Sequence, residues 1–442
     1  MPGVTVRPAY PDSVDPTTSR GRPLRRRVVG PIDRDVVAEV TAAVRDALTD
    51  GPAFAPVAPP AGGSAEDGGP DGGVTDDGVT EGGAAETVPE GVALVVRTSG
   101  STGEPREVLL DAAALRASAA ATHERLGGPG RWLLALPLAH VAGLQVVVRS
   151  VVAGHDPLVV PTAGGFDPRT WLDAVRSAPD DAPVHSSLVP TQLHRVVTAL
   201  EDLPASAVGA VTARLGAVLL GGAATAPSLR ERARALGLPV VTTYGMTETC
   251  GGCVYDGEPL AGVEVRLDDD GAVEVAGPVL ARGYRDRPDL DRVAFRVDPD
   301  GRRWFATADL GALDGQVLRV LGRRDDVLVT GGAKVAPAAV EAAVAALPGV
   351  AEVCVVGVPD PEWGQAVTAV VVPGARPSTA SGLSSAPDLR TVRDHVARTL
   401  GRAAAPRHLV LVAALPLRGP GKVDRAAVAR LAAARLASDP AG

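Results

Sequence analysis

The chain has 442 residues, 45% hydrophobic but only 3% aromatic, room for two or three domains with cores of Ala, Val and Leu. Its formal charge of −8 is local: residues 61–90 hold eight acids and no Lys or Arg, so the remainder is balanced and offers no basic footprint for nucleic acid. No run reaches the roughly 18 apolar residues of a membrane span, the first residues lack the apolar core of a signal peptide, and three cysteines make no disulfide framework, which points to a cytoplasmic protein.

In chain order, residues 1–30 are Pro- and Arg-rich and read as extended or frayed. Residues 33–48 place Val36, Val37, Val40, Val44 and Leu48 on one side, the spacing of an amphipathic helix. The Gly/Ala/Asp/Glu-rich stretch 57–90 has little to bury and reads as a disordered acidic linker or loop. Short apolar runs then alternate with helical stretches. Strands are predicted over 91–96, 131–137, 156–160, 184–188, 215–220 and 238–242, and helices over 112–125, 171–177, 191–200 and 227–236. This alternation predicts layered α/β with a largely parallel sheet. Residues 260–320 change character, with short strands over 263–267, 272–275 and 317–321 and Asp/Gly turns, so a small β region is expected. After Gly322 comes a compact unit with a helix over 337–347, strands over 352–358 and 366–372 and a helix over 389–400, interrupted by a Pro/Ser/Gly loop at 373–388.

Four stretches carry chemistry. The segment Arg97-Thr98-Ser99-Gly100-Ser101-Thr102-Gly103-Glu104-Pro105-Arg106 follows the apolar run 91–96. Glycines let backbone approach a ligand, and successive N–H groups with hydroxyls make a concave anion site, so it reads as a phosphate cradle. It is not the Gly-x-x-x-x-Gly-Lys-Ser/Thr loop, and an ordinary loop is the plain alternative. Only two of the 44 basic residues are lysines, Lys334 and Lys422, so arginine serves wherever a generic charge suffices. Cys250-Gly251-Gly252-Cys253 has redox or zinc spacing, but no second pair completes a metal site, and two small residues in a glycine-rich turn is the favoured reading. Arg149 lies inside the apolar run 146–152, where a charge is costly to bury alone. A structural acid or a bound carboxylate would satisfy it.

The first of these segments resembles the phosphate loop of the adenylate-forming enzymes: acyl-CoA synthetases, luciferases and adenylation domains. Further motifs follow in that family's order: Tyr244-Gly245-Met246-Thr247-Glu248-Thr249, Asp309 in Ala306-Thr307-Ala308-Asp309-Leu310-Gly311, Gly322-Arg323-Arg324-Asp325-Asp326, and Gly421-Lys422-Val423-Asp424-Arg425. The resemblance implies an N-terminal adenylating domain, residues 1–322, of large layered α/β type with a small β region. A smaller, mobile α+β C-terminal domain, residues 326–442, would follow a hinge at Asp325. The implied reaction joins an acid to ATP as an acyl-adenylate, then transfers the acyl group to a thiol. Thr98, Ser99, Gly100, Ser101, Thr102, Gly103 and Arg106 match the nucleotide cradle. Gly221 and Gly222 match the adenine-side loop, and Tyr244, Gly245, Asp309 and Arg323 the rest of the nucleotide site, with Asp309 and Arg323 on the ribose. Thr247 matches a phosphate-binding hydroxyl, Glu248 the magnesium ligand and Lys422 the catalytic lysine at the α-phosphate. Gly331, Gly332 and Lys334 match the coenzyme A step. Where this family usually has lysine and glycine, the chain has Arg106 and Glu107.

For the acid, His140 matches the acyl-pocket wall, and Gln145 and Arg149 follow on the same helical stretch. No acidic residue stands nearby to hold a substrate ammonium, which disfavours amino acids. The short N-terminal portion and the segments 144–150, 187–193 and 250–257 resemble the o-succinylbenzoate–CoA ligases of menaquinone synthesis. That substrate is an aromatic keto diacid, whose second carboxylate would want a cation such as Arg149. Other aryl- or fatty-acyl-CoA ligases, or a nucleotide-binding pseudoenzyme, are the alternatives. The implied partners are the small acid, ATP, Mg²⁺ and coenzyme A, with a homo-oligomer left open.

Overall fold

The computed structural model describes residues 21–59, 86–99, 105–374, 387–418 and 422–438. Gly100, Ser101, Thr102 and Gly103 of the expected cradle lie outside that set, as do residues 60–85 of the acidic stretch, 375–386 of the Pro/Ser/Gly loop, and the side chains of Ser99 and Lys422.

The centre is a seven-stranded sheet in the order Leu158–Val159, Arg131–Leu134, Val184–Leu188, Leu215–Leu220, Val240–Met246, Gly251–Tyr255 and Glu258–Pro259. Its first five strands run parallel and the last two antiparallel. Parallel neighbours need crossovers, provided by helices Val141–Val152, Pro168–Arg176, Pro190–Glu201 and Pro227–Ala235. The last three begin with proline, whose missing N–H costs nothing in a first turn. Both sheet faces are covered. Leu133, Leu188 and Val218 pack with Trp171, Leu193 and Val196, while Trp132, Leu134 and Leu219 pack with Leu144, Val147 and Val148.

A second, six-stranded sheet runs Gly283–Tyr284, Pro105–Asp111, Val92–Ser99, Ala53–Val57, Arg22–Val28 and Thr87–Val88. Helix Arg34–Leu48, capped by the Asp33 carboxylate accepting from the Val36 N–H, buries Val37, Val40, Val44 and Leu48 against it, the face its spacing predicts. One expectation is narrowed here and one corrected. Of the two readings of residues 1–30, extended or frayed, residues 22–28 take the extended one and pair as a strand, because the Arg22 guanidinium donates to the carbonyls of Ala47 and Val92, and Arg26 grips Glu107 bidentately at 2.6 and 3.0 Å. The span 57–90 is too wide for a linker: Val57 ends a strand, Thr87–Val88 pairs with residues 22–23, and Glu86 accepts from Arg26 at 2.6 Å.

The small β region is an antiparallel sheet of Glu264–Leu267, Ala272–Ala276, Arg303–Asp314 and Phe295–Val297, with Val317–Arg323 paired to Arg303–Asp314. Beyond it, strands Val350–Asp360, Gly364–Pro373 and His408–Leu411 form a three-stranded sheet. Helices Pro337–Ala345 and Leu389–Leu400 cover one face and Arg425–Ser438 the other, through two apolar clusters drawn only from residues 328 onward.

One polar group lies deep in the first core. His185 is fully buried in strand Val184–Leu188, with its ring 5.0 Å from that of Trp132. It fits because its flanking strands are preceded or begun by glycines: a Cβ on Gly130 or Gly216 would come within 2.5 Å of the imidazole. Burial, then His123 and Arg149, pushes its pKa down to about 4, and burial, then Arg149, does the same to His123. Both imidazoles are neutral in the folded chain, so between the ordinary 6.5 and about 4 the unfolded chain binds the extra protons. Stability is therefore fully present above 6.5 and falls as pH drops through this window, by up to about 1.4 kcal/mol per pH unit for each histidine. His185→Asn is expected to flatten the dependence of the denaturation midpoint on pH there; an unchanged slope would mean that His185 is not held neutral.

Candidate functional site

The C-terminal ends of strands Leu215–Leu220 and Val240–Met246 face a cleft, the end at which open parallel sheets bind ligands. Leu220 runs into Gly221 and Gly222. A Cβ on Gly221 would come 2.5 Å from the Thr243 hydroxyl, and Gly222 turns at φ +83°. Two recesses flank the strand. One of about 230 Å³ is lined by Ala223, Ala224, Thr225 and Arg230, the other of about 180 Å³ by Tyr244, Val254, Gly257 and Leu318; Thr242 and Thr243 border both. Next in the strand, Gly245 is required by contact, since any Cβ there would overlap the Gly251 carbonyl.

Tyr244 reaches out of the strand and donates to Asp309 Oδ2 at 2.9 Å. Asp309 also lies 3.5 Å from Arg323, whose other amino group meets Asp325 at 3.2 Å. Burial raises the Asp309 pKa, opposed by the Tyr244 hydrogen bond and by Arg323. Burial and then Asp309 push the Tyr244 phenol upward, so it remains a donor. The structure thus joins three of the expected nucleotide residues, Tyr244, Asp309 and Arg323, to the expected hinge residue.

After Met246 the chain makes a 3₁₀ turn, Thr247–Thr249, closed by the Met246 N–H donating to Thr249 Oγ1 at 2.9 Å. The turn presents Glu248, whose carbonyl accepts from the Ala281 N–H, and whose Oε1 accepts from the Tyr284 hydroxyl at 2.9 Å. The Arg106 guanidinium lies 5.8 Å over the Tyr284 ring. Arg106 pairs with Thr98 between strands Val92–Ser99 and Pro105–Asp111, so the described residues of the expected cradle lie at the facing ends of those strands. Tyr284 was not found from sequence. It lies 36 residues beyond Glu248, and only a glycine–tyrosine pair marks it locally. Among the described residues no three His, Cys, Asp or Glu cluster, so an ion here would have Glu248 as its carboxylate and take other oxygens from a substrate. That donor set fits Mg²⁺ and not zinc. The departure at Glu107 has a reason: it accepts from Arg26 and from Arg285 at 3.3 Å, bracing strand Pro105–Asp111 against strand Arg22–Val28. Burial opposes its ionisation, but the two arginines prevail and leave its pKa below the usual range.

On the other side, helix Val141–Val152 starts at His140, an exposed N-cap whose carbonyl accepts from Gly143 and Leu144. Gln145 and Arg149 point inward, 1% and 3% exposed. Gln145 Nε2 donates to the Cys250 carbonyl, and Arg149 Nη2 to the Tyr255 phenol oxygen at 3.2 Å. Tyr255 in turn bonds Thr122 at 3.1 Å, and the guanidinium lies 5.0 Å from the Trp132 ring centre. Among the described residues no carboxylate is in salt-bridge reach of Arg149, so the structural-acid alternative is not met there. Arg149 Nε, Gln145 Oε1, Ser187 Oγ and both His185 nitrogens are buried without a hydrogen-bond partner. Sequence reading missed Tyr255, Thr122 and His185. Both thiols of the cysteine pair are free and buried; Cys250 caps the 3₁₀ turn whereas Cys253 lies in strand Gly251–Tyr255 rather than in a turn, and burial pushes it up to about 12.

The remaining expected residues lie after the small β region. Asp325 is in the 3₁₀ turn Arg324–Asp326. Gly331 and Gly332 form the tip between strands Leu328–Thr330 and Ala333–Val335, where Gly331 has φ +53° and a Cβ would meet the Trp363 ring at 2.5 Å. Lys334 is exposed on the second strand. Lys422 pairs through its backbone with Arg418 in a two-stranded sheet. The helix that follows is anchored by Arg425, which meets Glu341 at 2.6 Å and Asp326 at 3.4 Å.

Residues 33–285 match the family described as AMP-binding enzyme, and residues 339–422 the AMP-binding enzyme C-terminal domain. A protein of Mycobacterium tuberculosis named "Probable 2-succinylbenzoate--CoA ligase" is 46% identical over 348 residues, covering 78% of this chain and 86% of that protein. The structure of o-succinylbenzoate CoA synthetase (MenE) from Bacillus subtilis in complex with the acyl-adenylate intermediate OSB-AMP is 27% identical, with TM-score 0.63, covering 78% of this chain and 72% of that one. The same enzyme in complex with ATP and magnesium ion is 28% identical with TM-score 0.61, over 78% and 73% of the two chains. With both matched regions in sequence order and the strand ends, glycine turn and acidic turn built as described, the chain belongs to the AMP-binding enzyme family.

Proposed function

We propose that this chain is an AMP-forming acid–thiol ligase of menaquinone biosynthesis, acting in the cytoplasm. It converts 2-succinylbenzoate, ATP and coenzyme A into o-succinylbenzoyl-CoA, AMP and pyrophosphate. The named relative and the Bacillus subtilis complexes support the reaction. The observation that carries the substrate class is Arg149, a buried guanidinium with no carboxylate in salt-bridge reach among the described residues and with Nε unpaired. A second carboxylate on the acid supplies the missing partner.

In the first step a substrate carboxylate oxygen attacks the α-phosphorus, the bond to pyrophosphate breaks and the acyl-adenylate forms. Thr98, Ser99, Gly100, Ser101, Thr102, Gly103, Arg106 and Thr247 hold the phosphates. Gly221 and Gly222 admit the base beside Tyr244 and Gly245. Asp309, already oriented by Tyr244, takes the ribose with Arg323. His140 and Gln145 line the acyl side. Glu248 would hold Mg²⁺, which when bound neutralises charge on the phosphates. Lys422 stabilises the charge that moves at the α-phosphate. In the second step residues 326–442 swing about Asp325 relative to 1–322, removing Lys422 and bringing Gly331, Gly332 and Lys334 to the thiol. The coenzyme A sulfur attacks the acyl carbon and AMP leaves.

A panel of carboxylic acids with ATP, Mg²⁺ and coenzyme A, read by thioester mass, tests the reading. The aromatic keto diacid is expected to lead. A faster monocarboxylic acid would identify a different acyl-CoA ligase, and no pyrophosphate from any acid would point to a pseudoenzyme.

The two half-reactions separate by mutation. Lys422→Ala is expected to lower the rate of adenylate formation by about 10²–10³, the cost of one preorganised donor, while still converting supplied acyl-adenylate and coenzyme A to thioester. Asp325→Pro, which fixes the turn's backbone, is expected to keep pyrophosphate release and slow thioester formation. Equal damage to both steps in Lys422→Ala would remove the two-position assignment.

Tyr284→Phe deletes the hydrogen bond that orients Glu248. The Mg²⁺ concentration for half-maximal tightening of ATP binding is expected to rise about tenfold, as for other partners of metal ligands, with metal-free ATP affinity unchanged. Superimposable titrations would show that Tyr284 does not prepare the ligand.

A further inference from the structure

Arg149 is held by three elements at once. Its helix, Val141–Val152, delivers it to the sheet; strand Gly251–Tyr255 supplies Tyr255; and helix Ala112–Arg125 supplies Thr122. The phenol oxygen of Tyr255 accepts from Arg149 Nη2 at 3.2 Å and shares a hydrogen bond with Thr122 Oγ1 at 3.1 Å. A tyrosine hydroxyl has one proton to donate and lone pairs to accept, so Thr122 can take the proton and leave the oxygen turned to the guanidinium. All three side chains are buried, so water is no easy substitute. The face of Trp132, 5.0 Å away, limits rotation of the guanidinium. Two donors remain: Nε, buried and unpaired, and Nη1, which has no hydrogen-bond partner among the described residues.

The glycines of Cys250-Gly251-Gly252-Cys253 make this arrangement possible. A Cβ on Gly252 would stand 3.0 Å from the Tyr255 ring, and one on Gly251 would stand 3.2 Å from Gln145. The stretch that looked like a metal or redox motif is thus space for Tyr255 and Gln145.

We propose that Tyr255, anchored by Thr122, is a positioning residue for Arg149: it occupies one amino group and fixes the guanidinium plane so that the remaining donors meet the acyl substrate's second carboxylate, making the enzyme selective for acids with a second carboxylate. This rests on the reading of Arg149 as the partner of that carboxylate. Tyr255 touches no reacting atom, and its effect falls on binding of the diacid.

The test compares Tyr255→Phe, Thr122→Val and Arg149→Met with wild type, using 2-succinylbenzoate and 4-oxo-4-phenylbutanoate, the same acid without its ring carboxylate. Tyr255→Phe removes one hydrogen bond to a charged group and is expected to raise KM for the diacid about tenfold. Its kcat, its KM for ATP and its KM for the monoacid should stay at wild-type values. Thr122→Val keeps the ring, frees its hydroxyl and is expected to move the same KM in the same direction, which covers the case of a poorly folding Tyr255→Phe. Unchanged diacid KM in both variants, or an equal rise for the monoacid, overturns the positioning role. Arg149→Met tells the two failures apart. If it abolishes the diacid preference while the other two variants keep it, only the positioning role falls. If it leaves the preference intact, the Arg149 reading falls and the role with it.

Discussion

A parallel sheet must bury both faces, and that constraint organises this molecule. Each crossover returns the chain over a face, so the strand ends gather their turns at one edge, where Gly221, Tyr244 and Glu248 lie within or just after adjoining strands. One crossover, Val141–Val152, is pressed closer than a normal side chain would permit. A Cβ on Gly143 would overlap the carbonyls of Leu136 and Pro137. Glycine inside a helix costs about 1 kcal/mol relative to alanine. Close approach offsets that cost by fixing the helix start at His140 and aiming Gln145 and Arg149 into the seam with the sheet.

The second organising contact is the chain Tyr244–Asp309–Arg323–Asp325, which ties the central sheet to the antiparallel region and to the turn at residue 325. Its links differ in strength. The Tyr244–Asp309 bond is short, with the Asp309 side chain only 13% exposed, so it resists solvent. Arg323 is 43% exposed and divided between two carboxylates at 3.5 and 3.2 Å, the kind of pair that contributes little net stability. A firm inner link and a loose outer one suit the proposed arrangement, in which Asp309 holds a ribose and the segment beyond Asp325 changes position.

Local pattern made much of this legible. Helix Arg34–Leu48 follows its apolar spacing, and four of the central strands start and stop within three residues of their apolar runs. Motif order singled out Tyr244, Asp309 and Arg323, which the structure brings into contact. Strand Arg22–Val28 could not be told from frayed chain because its stability comes from arginines reaching residues 25 to 81 positions away, and composition alone left it extended or frayed. The roles of Tyr284, Thr122 and His185 were invisible for a related reason, since each acts through contact with a distant segment; Tyr255 lies in the stretch 250–257 that the motifs marked, but its contact with Arg149 depends on a helix 106 residues away. Arg149 was legible as an anomaly but not as a site. Its two possible partners differ only in whether an acid folds beside it.

Arginine use needs a sharper account than spare positive charge. Arg22 spreads donors over separate carbonyls, Arg26 takes both oxygens of Glu107, and Arg425 joins Glu341 to the Val355 carbonyl. A lysine ammonium, compact and strongly hydrated, cannot make these planar, forked contacts. These arginines are structural because of their shape. The same geometry explains Arg149, where a fork with one branch fixed by Tyr255 retains a directed donor that an ammonium would not present. The two lysines stand on short paired strands, Lys334 exposed and Lys422 paired through its backbone with Arg418. A point charge on a flexible stem belongs at such positions if it must engage a substrate in one step and leave it in the next, whereas a fork locked into a protein carbonyl or carboxylate could not let go.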